Sequence, residues 1–237
     1  MENTSNEDYN RLREFYNKSK YYVNTKHNFA ESNNRFRKYT LKNVFSIYFP
    51  SNNEKVLDIG CGWGNISLEL QKNKIDVIGI DYSKKAIEIC QKSAENLNLN
   101  PEKFICADAT SMGFKKERFD AVYCSDIVEH LYPEIYYKMI MEIFRVLKKN
   151  GRLIIYTPNP KHYIEILKKN DIINKDVSHV DYKTKKFLEH FLNNAGFKII
   201  KSFYIESHLP IIRNFEKLFL SFIPIFRRRI AILAIKK

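Results

Sequence analysis

Short apolar runs alternate with amphipathic segments along most of the chain. The apolar runs end at residues 59, 81, 106, 125, 157 and 205. They are short enough to be buried strands. Between them apolar residues recur at helical spacing, as Ile135, Met139, Ile143 and Leu147 do after Pro133. Because strands and helices alternate in this way, the pattern predicts an α/β fold with a doubly wound sheet.

The same pattern gives approximate bounds for the elements. We expect strands at 56–59, 76–81, 103–106, 119–125, 151–157, 197–205 and 229–235. We expect helices after residue 65, from an N-cap at Ser83 to before Pro101, at 133–147 and at 183–195. Residues 9–49 contain no Pro or Gly and predict two or three more helices.

The first strand leads into a loop that is unusually rich in glycine. Gly60, Gly62 and Gly64 are three of the seven glycines in the chain, and Trp63 is its only tryptophan. Glycines cluster where the backbone needs a positive φ and where a ligand must approach the main chain closely. The loop therefore predicts a ligand site. Its spacing disfavours the G-x-G-x-x-G fingerprint of dinucleotide binding, because Asn65 stands where the third glycine would be.

The ten residues VLDIGCGWGN at 56–65 resemble motif I of the class I S-adenosylmethionine-dependent methyltransferases. The resemblance covers roughly residues 40–205 and is nearest to the small-molecule branch, in particular the ubiquinone-pathway O-methyltransferases. It implies a Rossmann-like seven-stranded sheet with an antiparallel last strand and helices on both faces. It also implies S-adenosylmethionine as the cofactor.

The resemblance extends to individual cofactor-binding residues. It implies that Asp81 accepts the ribose hydroxyls, that Asp108 binds the adenine amino group, and that Tyr82 or Ala109 borders the adenine ring. Each of these positions follows a predicted strand, where open α/β sheets bind their ligands. The remaining positions in the implied cofactor site are Asp58, Gly60, Cys61, Gly62, Gly64 and Ser125.

The segment after the fourth strand carries the candidate catalytic residues, His130 and Glu129. A hydroxyl acceptor must lose a proton during methyl transfer, and a histidine base suits that role. If a helix begins here, Asp126 shares a face with Glu129 and His130. Together with His179 these residues resemble the metal set of ubiquinone-pathway and small-RNA 2'-O-methyltransferases, which would hold Mg²⁺ or Mn²⁺. A metal site, a metal-free base and a structural role all remain open.

The other histidines have no partner pattern, and surface or packing roles are expected for them. They are His27, His162, His190 and His208.

The basic charge is concentrated at the two ends of the chain. The net charge of +13 divides into +4 for residues 1–50, +3 for 51–200 and +6 for 201–237. We expect residues 1–50 to form a helical lid, with Tyr21 and Tyr22 as candidates to reach the pocket. Residues 51–237 would be the cofactor-binding domain, with substrate-lid insertions near 160–180 and 206–228. The excess charge suggests an anionic substrate, a membrane surface or nucleic acid, with simple solubility as the alternative.

Residues 218–226 are mostly apolar and precede Arg227, Arg228 and Arg229. This combination predicts peripheral contact with an anionic membrane, or else a lid or dimer interface. The stretch is too short to span a bilayer.

The four cysteines lack C-x-x-C spacing and suggest a reducing compartment. A cytoplasmic protein is therefore expected, peripheral to the membrane if the apolar stretch docks there. The sequence does not predict an oligomeric state.

These observations predict transfer of a methyl group from S-adenosylmethionine to a small-molecule, lipid-linked or sugar acceptor, with oxygen as the favoured acceptor atom. One alternative is an RNA methyltransferase with a metal-assisted site, although no RNA-binding module is recognisable and nucleic acid is not the favoured partner. The other is a non-catalytic regulator that binds S-adenosylmethionine.

Overall fold

The computed structural model describes residues 10–11, 14–16, 35–174, 179–207, 210–219 and 222–237. Seven strands form one sheet: β1 (Lys55–Ile59), β2 (Asp76–Asp81), β3 (Phe104–Cys106), β4 (Phe119–Ser125), β5 (Leu147–Pro158), β6 (Phe197–Ile205) and β7 (Arg229–Lys236). Their order across the sheet is β3-β2-β1-β4-β5-β7-β6. Strands β1 to β5 are parallel to one another, and β7 lies antiparallel between β5 and β6. The prediction of a seven-stranded sheet with an antiparallel last strand is confirmed.

Helices cover both faces of the sheet. They are α1 (Arg35–Ile47), α2 (Asn65–Lys72), α3 (Lys84–Asn96), α4 (Pro133–Val146), α5 (Tyr163–Lys169), α6 (Lys185–Asn194) and α7 (Pro210–Phe219). Leu41 and Val44 of α1 pack with Val56 and Val77 of the sheet, whereas Met139 of α4 belongs to the apolar cluster on the opposite face. Because apolar side chains of the parallel strands are buried on both faces, these strands read as continuous apolar runs.

No helix begins directly after β4, which was the condition for Asp126 to share a face with Glu129 and His130. Residues Val128–His130 make a single 3₁₀ turn, and α4 begins only at Pro133. Two local constraints explain the difference. Asp126 has a φ of 53°, which is outside the right-handed helical region. Pro133 is at the first helical position, where a missing N–H costs nothing, and it restricts the residue before it to an extended backbone.

The apolar stretch at 218–226 and the arginines after it face different ways. Phe222 is 82 % exposed, and Phe215 and Leu218 are also exposed. By contrast, Arg228 pairs with Glu165 and the buried Arg229 pairs with Asp126. Arg228 and Arg229 therefore do not supply the outward-facing charge that the expected membrane contact needs. None of the helices that the structure describes has the length and apolarity required to cross a bilayer.

Candidate active site

The glycine loop connects β1 to α2 through three left-handed residues. The φ angles of Gly60, Gly62 and Gly64 are 67°, 52° and 74°. A Cβ on Gly60 would lie 2.7 Å from Cδ1 of Ile127, so a larger residue would have to displace Ile127 as well as adopt a strained positive φ. At Gly62 the nearest atom to such a Cβ is a backbone oxygen 3.9 Å away, which leaves its surface open. The loop is thus packed on one side and accessible to a ligand on the other, as its sequence predicts.

A cavity of about 680 Å³ lies beside this loop, at the carboxyl ends of the parallel strands. The predicted cofactor-binding positions that line it are Asp58, Gly60, Cys61, Gly62, Asp81, Tyr82, Ala109 and Ser125. Both predicted catalytic residues, Glu129 and His130, line it as well. Gly64 and Asp108 are not among the lining residues. Gly64 instead begins α2, and Asp108 accepts hydrogen bonds from the amide and hydroxyl of Thr110, each at 2.7 Å.

Asp81 joins the glycine loop to the next helix. Its carboxylate accepts hydrogen bonds from the amides of Gly62 (3.1 Å) and Ser83 (2.9 Å). Ser83 in turn is the N-cap of α3, as predicted, and accepts from the amide of Ala86. Burial raises the pKa of Asp81 to about 6, because the charged carboxylate has lost much of its hydration. Additional hydrogen-bond donors from a ligand would stabilise the charged form.

Asp58 lies beneath the loop and is only 2 % exposed. Its carboxylate accepts a 2.7 Å hydrogen bond from the hydroxyl of Ser67. Burial raises the pKa of Asp58 to about 7, because the charged form loses its hydration and the hydrogen bonds from Ser67 compensate only in part.

The raised pKa of Asp58 predicts a pH-dependent stability. A carboxyl whose pKa is higher in the folded state stabilises the fold at low pH, and this contribution is lost as pH rises towards about 7. We expect Asp58→Asn, which cannot ionise, to gain relative to the natural protein by about 1.4 kcal/mol per pH unit between roughly pH 5 and 7. Urea unfolding of both proteins across this range measures the difference. A difference independent of pH would contradict the assignment.

Glu129 is the most buried acid in the cavity wall, with 1 % exposure. It accepts a 3.0 Å hydrogen bond from the hydroxyl of Thr157. Burial raises its pKa to about 7, an effect that the adjacent His130 partly opposes. A carboxyl in this environment can stabilise a positive charge on a neighbouring imidazole.

The 3₁₀ turn that carries Glu129 and His130 is fixed by Lys183. The Lys183 ammonium is almost fully buried and donates to the carbonyls of Val128 (2.9 Å) and Leu131 (2.6 Å). It also pairs with Asp181 at 3.1 Å. Nothing in the local sequence identifies this role, because Lys183 lies over 50 residues from the carbonyls it binds.

Aromatic hydroxyls contact both histidines of the site. The hydroxyl of Tyr16 lies 3.0 Å from Nδ1 of His130. The hydroxyl of Tyr182 lies 2.6 Å from Nδ1 of His179 and donates to Glu165 at 2.8 Å. The two imidazole rings are edge to face with their centres 4.7 Å apart. Tyr16 does what was expected of Tyr21 or Tyr22, which lie outside the described residues.

The structure separates one residue from the metal set that the sequence leaves open. Asp126 does not join Glu129, His130 and His179, whose ligand atoms lie within 4.8 Å of one another. Its left-handed backbone and its ion pair with Arg229 direct it elsewhere.

His162 is not a surface or simple packing residue. It is fully buried, with Nε2 3.0 Å from the Glu216 carboxylate, and it caps the N-terminus of α5. Of the remaining histidines, His190 is exposed, whereas His27 and His208 lie outside the described residues.

Comparison with known proteins shows that the chain is similar to methyltransferases. Residues 50–196 match a protein family described as "Methyltransferase domain". The ubiquinone biosynthesis O-methyltransferase of Pelagibacter ubique is 35 % identical over 136 residues, which are 56 % of this chain and 55 % of that protein. The sterol 4-C-methyltransferase of Caenorhabditis elegans is 30 % identical over 141 residues, 59 % of this chain and 39 % of that protein. The chain thus spans about half the length, or less, of these curated relatives.

The fold is also that of a solved methyltransferase. The magnesium protoporphyrin IX methyltransferase of Synechocystis PCC 6803, with bound SAH, superimposes with a TM-score of 0.70 over 96 % of this chain and 99 % of that one. The two sequences are 20 % identical. The family match covers residues 50–196, and the superposition shows that the whole sheet has the same fold as this enzyme.

Proposed function

The chain belongs to the class I S-adenosylmethionine-dependent methyltransferases, and from this premise we propose that it transfers a methyl group from S-adenosylmethionine to a hydroxyl oxygen of a small molecule. The observation that carries the proposal is the position of His130. It lies in the wall of the same cavity as the glycine loop, between the hydroxyl of Tyr16 and the ring of His179. A titratable base in reach of a cofactor cradle is what an oxygen acceptor requires.

The cavity fits the cofactor at the glycine loop. The open face of Gly62 permits close approach of a ligand, and the N-terminus of α2 favours a carboxylate. Asp81 would accept the ribose hydroxyls. Tyr82 or Ala109, which line the cavity, would border the adenine ring, and Asp108 would bind its amino group if a ligand displaced Thr110 from the carboxylate. S-adenosylmethionine supplies a methyl group on a positively charged sulfur, which makes that methyl electrophilic.

Arg37 of α1 is a further candidate for the carboxylate end of the cofactor. It lines the cavity and pairs with Glu69 of α2 at 3.4 Å, yet its buried Nε has no hydrogen-bond partner among the described residues. An unpaired buried donor is costly, and a carboxylate oxygen would satisfy it.

Asp81→Ala is expected to weaken binding of S-adenosylmethionine at least tenfold, about 1.4 kcal/mol. The substitution removes the acceptor for the ribose hydroxyls and releases the Gly62 amide. Calorimetric titration measures the affinity. Asp76→Asn is the matched control, because Asp76 is at the exposed start of the same strand and pairs only with Lys103 among the described residues. Equal affinities for Asp81→Ala and the natural protein would contradict the ribose assignment.

His130 would act as the general base. If its Nδ1–H donates to the hydroxyl oxygen of Tyr16, Nε2 keeps its lone pair and can accept the proton of the acceptor hydroxyl. Glu129, next to it and buried, then stabilises the imidazolium. The site would also align the acceptor oxygen with the methyl group and exclude water. Alignment of this kind can lower the activation barrier by roughly 7–11 kcal/mol.

A metal-assisted site is the second candidate, because one carboxylate and two imidazoles converge in Glu129, His130 and His179. This donor set does not fit Mg²⁺, which prefers oxygen ligands, and Asp126 is engaged by Arg229. Imidazole and carboxylate together suit Mn²⁺ or another transition metal better. Activity that EDTA abolishes and Mn²⁺ restores would favour this candidate.

The acceptor site would be completed by the two insertions. Glu165, Lys168 and His179 from 160–180 and Arg228 at the end of 206–228 line the cavity. This supports a lid-like role for both segments and for residues 1–50, from which Tyr16 and Arg37 reach the same space.

The test is incubation of the purified protein with methyl-labelled S-adenosylmethionine and an extract of its source cells, with and without EDTA. We expect base-stable label in a small aqueous product, as an O-methyl ether gives. Label in the organic phase would instead indicate a lipid-linked acceptor, and label in RNA the nucleic-acid alternative. Cofactor binding without any label would favour the non-catalytic regulator and contradict the proposal.

A further inference from the structure

Five charged residues that line the cavity, none of them from the glycine loop, are joined to one another by ion pairs or lie next to each other in sequence. They are Asp126, Glu165, Lys168, Arg228 and Arg229, and we refer to them as the charged end. Three cations thus face two carboxylates. The carboxylate of Glu216 lies behind them but is taken up by His162 and the amide of Ser207. Because burial lowers the pKa of His162, its imidazole leaves Glu216 charged, and Glu216 balances the third cation. Unused hydrogen-bond donors, rather than net charge, distinguish this part of the cavity wall.

Three side chains already donate to Glu165. Its carboxylate accepts from Arg228 (2.8 Å), from Tyr182 (2.8 Å) and from Lys168 (3.2 Å). Lys168 has three N–H donors and Arg228 has five, so both keep donors beyond those that Glu165 accepts. Burial, and then the adjacent charge of Arg229, lower the pKa of Arg228, whereas Glu165 and Glu216 raise it.

Arg229 has a buried donor without a hydrogen-bond partner among the described residues. The side chain is 5 % exposed and is wedged between the rings of Phe36 and Tyr156, 5.9 and 5.2 Å away. One terminal nitrogen donates to Asp126, whereas Nε has no hydrogen-bond partner in the described part of the chain. Such an orphaned donor costs about 1–3 kcal/mol unless a ligand fills it. A guanidinium favours carboxylate or phosphate oxygens for this purpose.

We propose that the charged end binds an oxyanion, so that the methyl acceptor is a small molecule carrying a carboxylate or phosphate group held by Lys168, Arg228 and the Nε of Arg229. The inference rests on the proposed function, since it assigns the substrate class of that same site. It differs from the apolar, lipid-linked acceptor that the exposed stretch at 218–226 suggests. The anionic group would anchor the acceptor while its hydroxyl lies towards His130.

The test measures binding rather than turnover. Benzoate, phenyl phosphate and benzamide are titrated by calorimetry into protein saturated with S-adenosylhomocysteine, which fills the cofactor end, including any carboxylate site at Arg37. We expect one or both anions to bind at least fivefold more tightly than the neutral amide. The stronger of the two identifies the acceptor's acid as carboxylate or phosphate.

Two variants on the same helix make the test specific. Lys168→Met is expected to weaken binding of the preferred anion at least fivefold, whereas Lys169→Met, at an exposed neighbour outside the cavity wall, should leave it within twofold. Arg229→Lys keeps the charge but removes the Nε donor, and it should also weaken binding of the preferred anion at least fivefold.

Equal binding of benzamide and both anions would overturn the inference, as would equal effects of the Lys168 and Lys169 substitutions. Failure of the proposed function would show differently, as cofactor binding without labelled product in the extract assay.

Discussion

His130→Gln is expected to lower kcat/KM by about 10²–10⁴-fold, the usual contribution of a general base. Glutamine is close to histidine in size and can still contact the hydroxyl of Tyr16, but it cannot take a proton from the acceptor. The affinity for S-adenosylmethionine should stay within about twofold, because the cofactor contacts lie at the glycine loop and Asp81. Single-turnover kinetics with labelled cofactor separate the two effects.

His190→Gln serves as the matched control, because His190 is exposed on α6 and contacts Asn194. We expect it to leave the kinetics unchanged. Tyr16→Phe tests the tautomer assignment, since it removes the hydroxyl that orients Nδ1 of His130. It should reduce kcat more than it raises KM. Retention of full activity in His130→Gln would show that positioning alone suffices and would remove the base from the mechanism.

Lys183→Met is expected to lower the free energy of unfolding by about 3 kcal/mol, because it leaves the buried carbonyls of Val128 and Leu131 without a donor. For a chain of this size that corresponds to a fall in Tm of roughly 6–12 °C. Burial lowers the pKa of Lys183, and relief of that burial cost limits the loss. Activity should fall further than stability, since the turn carries both Glu129 and His130.

Differential scanning calorimetry measures the change in Tm for this variant. Lys186→Met is the control at an exposed position of α6, three residues away, where we expect less than about 0.5 kcal/mol. If the two variants unfold at the same temperature, Lys183 does not stabilise the turn as its contacts indicate.

The sheet and the glycine loop could be predicted because their signals are local. Strand and helix periods depend on neighbours in sequence, and the loop's requirement for positive φ is met by the glycines at its own positions. Asp81 could be placed for the same reason, since it ends a strand next to that loop.

The rest of the site could not be predicted because it depends on contacts between distant positions. Tyr16 and His130 are 114 residues apart, and Asp126 and Arg229 are 103 apart. No spacing rule connects such pairs. Asp126 has a left-handed backbone, so a turn rather than a helix follows β4. Its carboxylate pairs with Arg229 of β7, which nothing in the local sequence indicates.

The reversed direction of β7 has a consequence for the order in which the site is assembled. Because β7 runs against its neighbours, its first residue, Arg229, lies at the same edge of the sheet as the ends of β4 and β5. A parallel strand would place that residue at the opposite edge. During synthesis β1 to β5 and the glycine loop emerge well before residues 229–236. The cavity wall therefore lacks Arg229 until the last strand has been made and lies between β5 and β6.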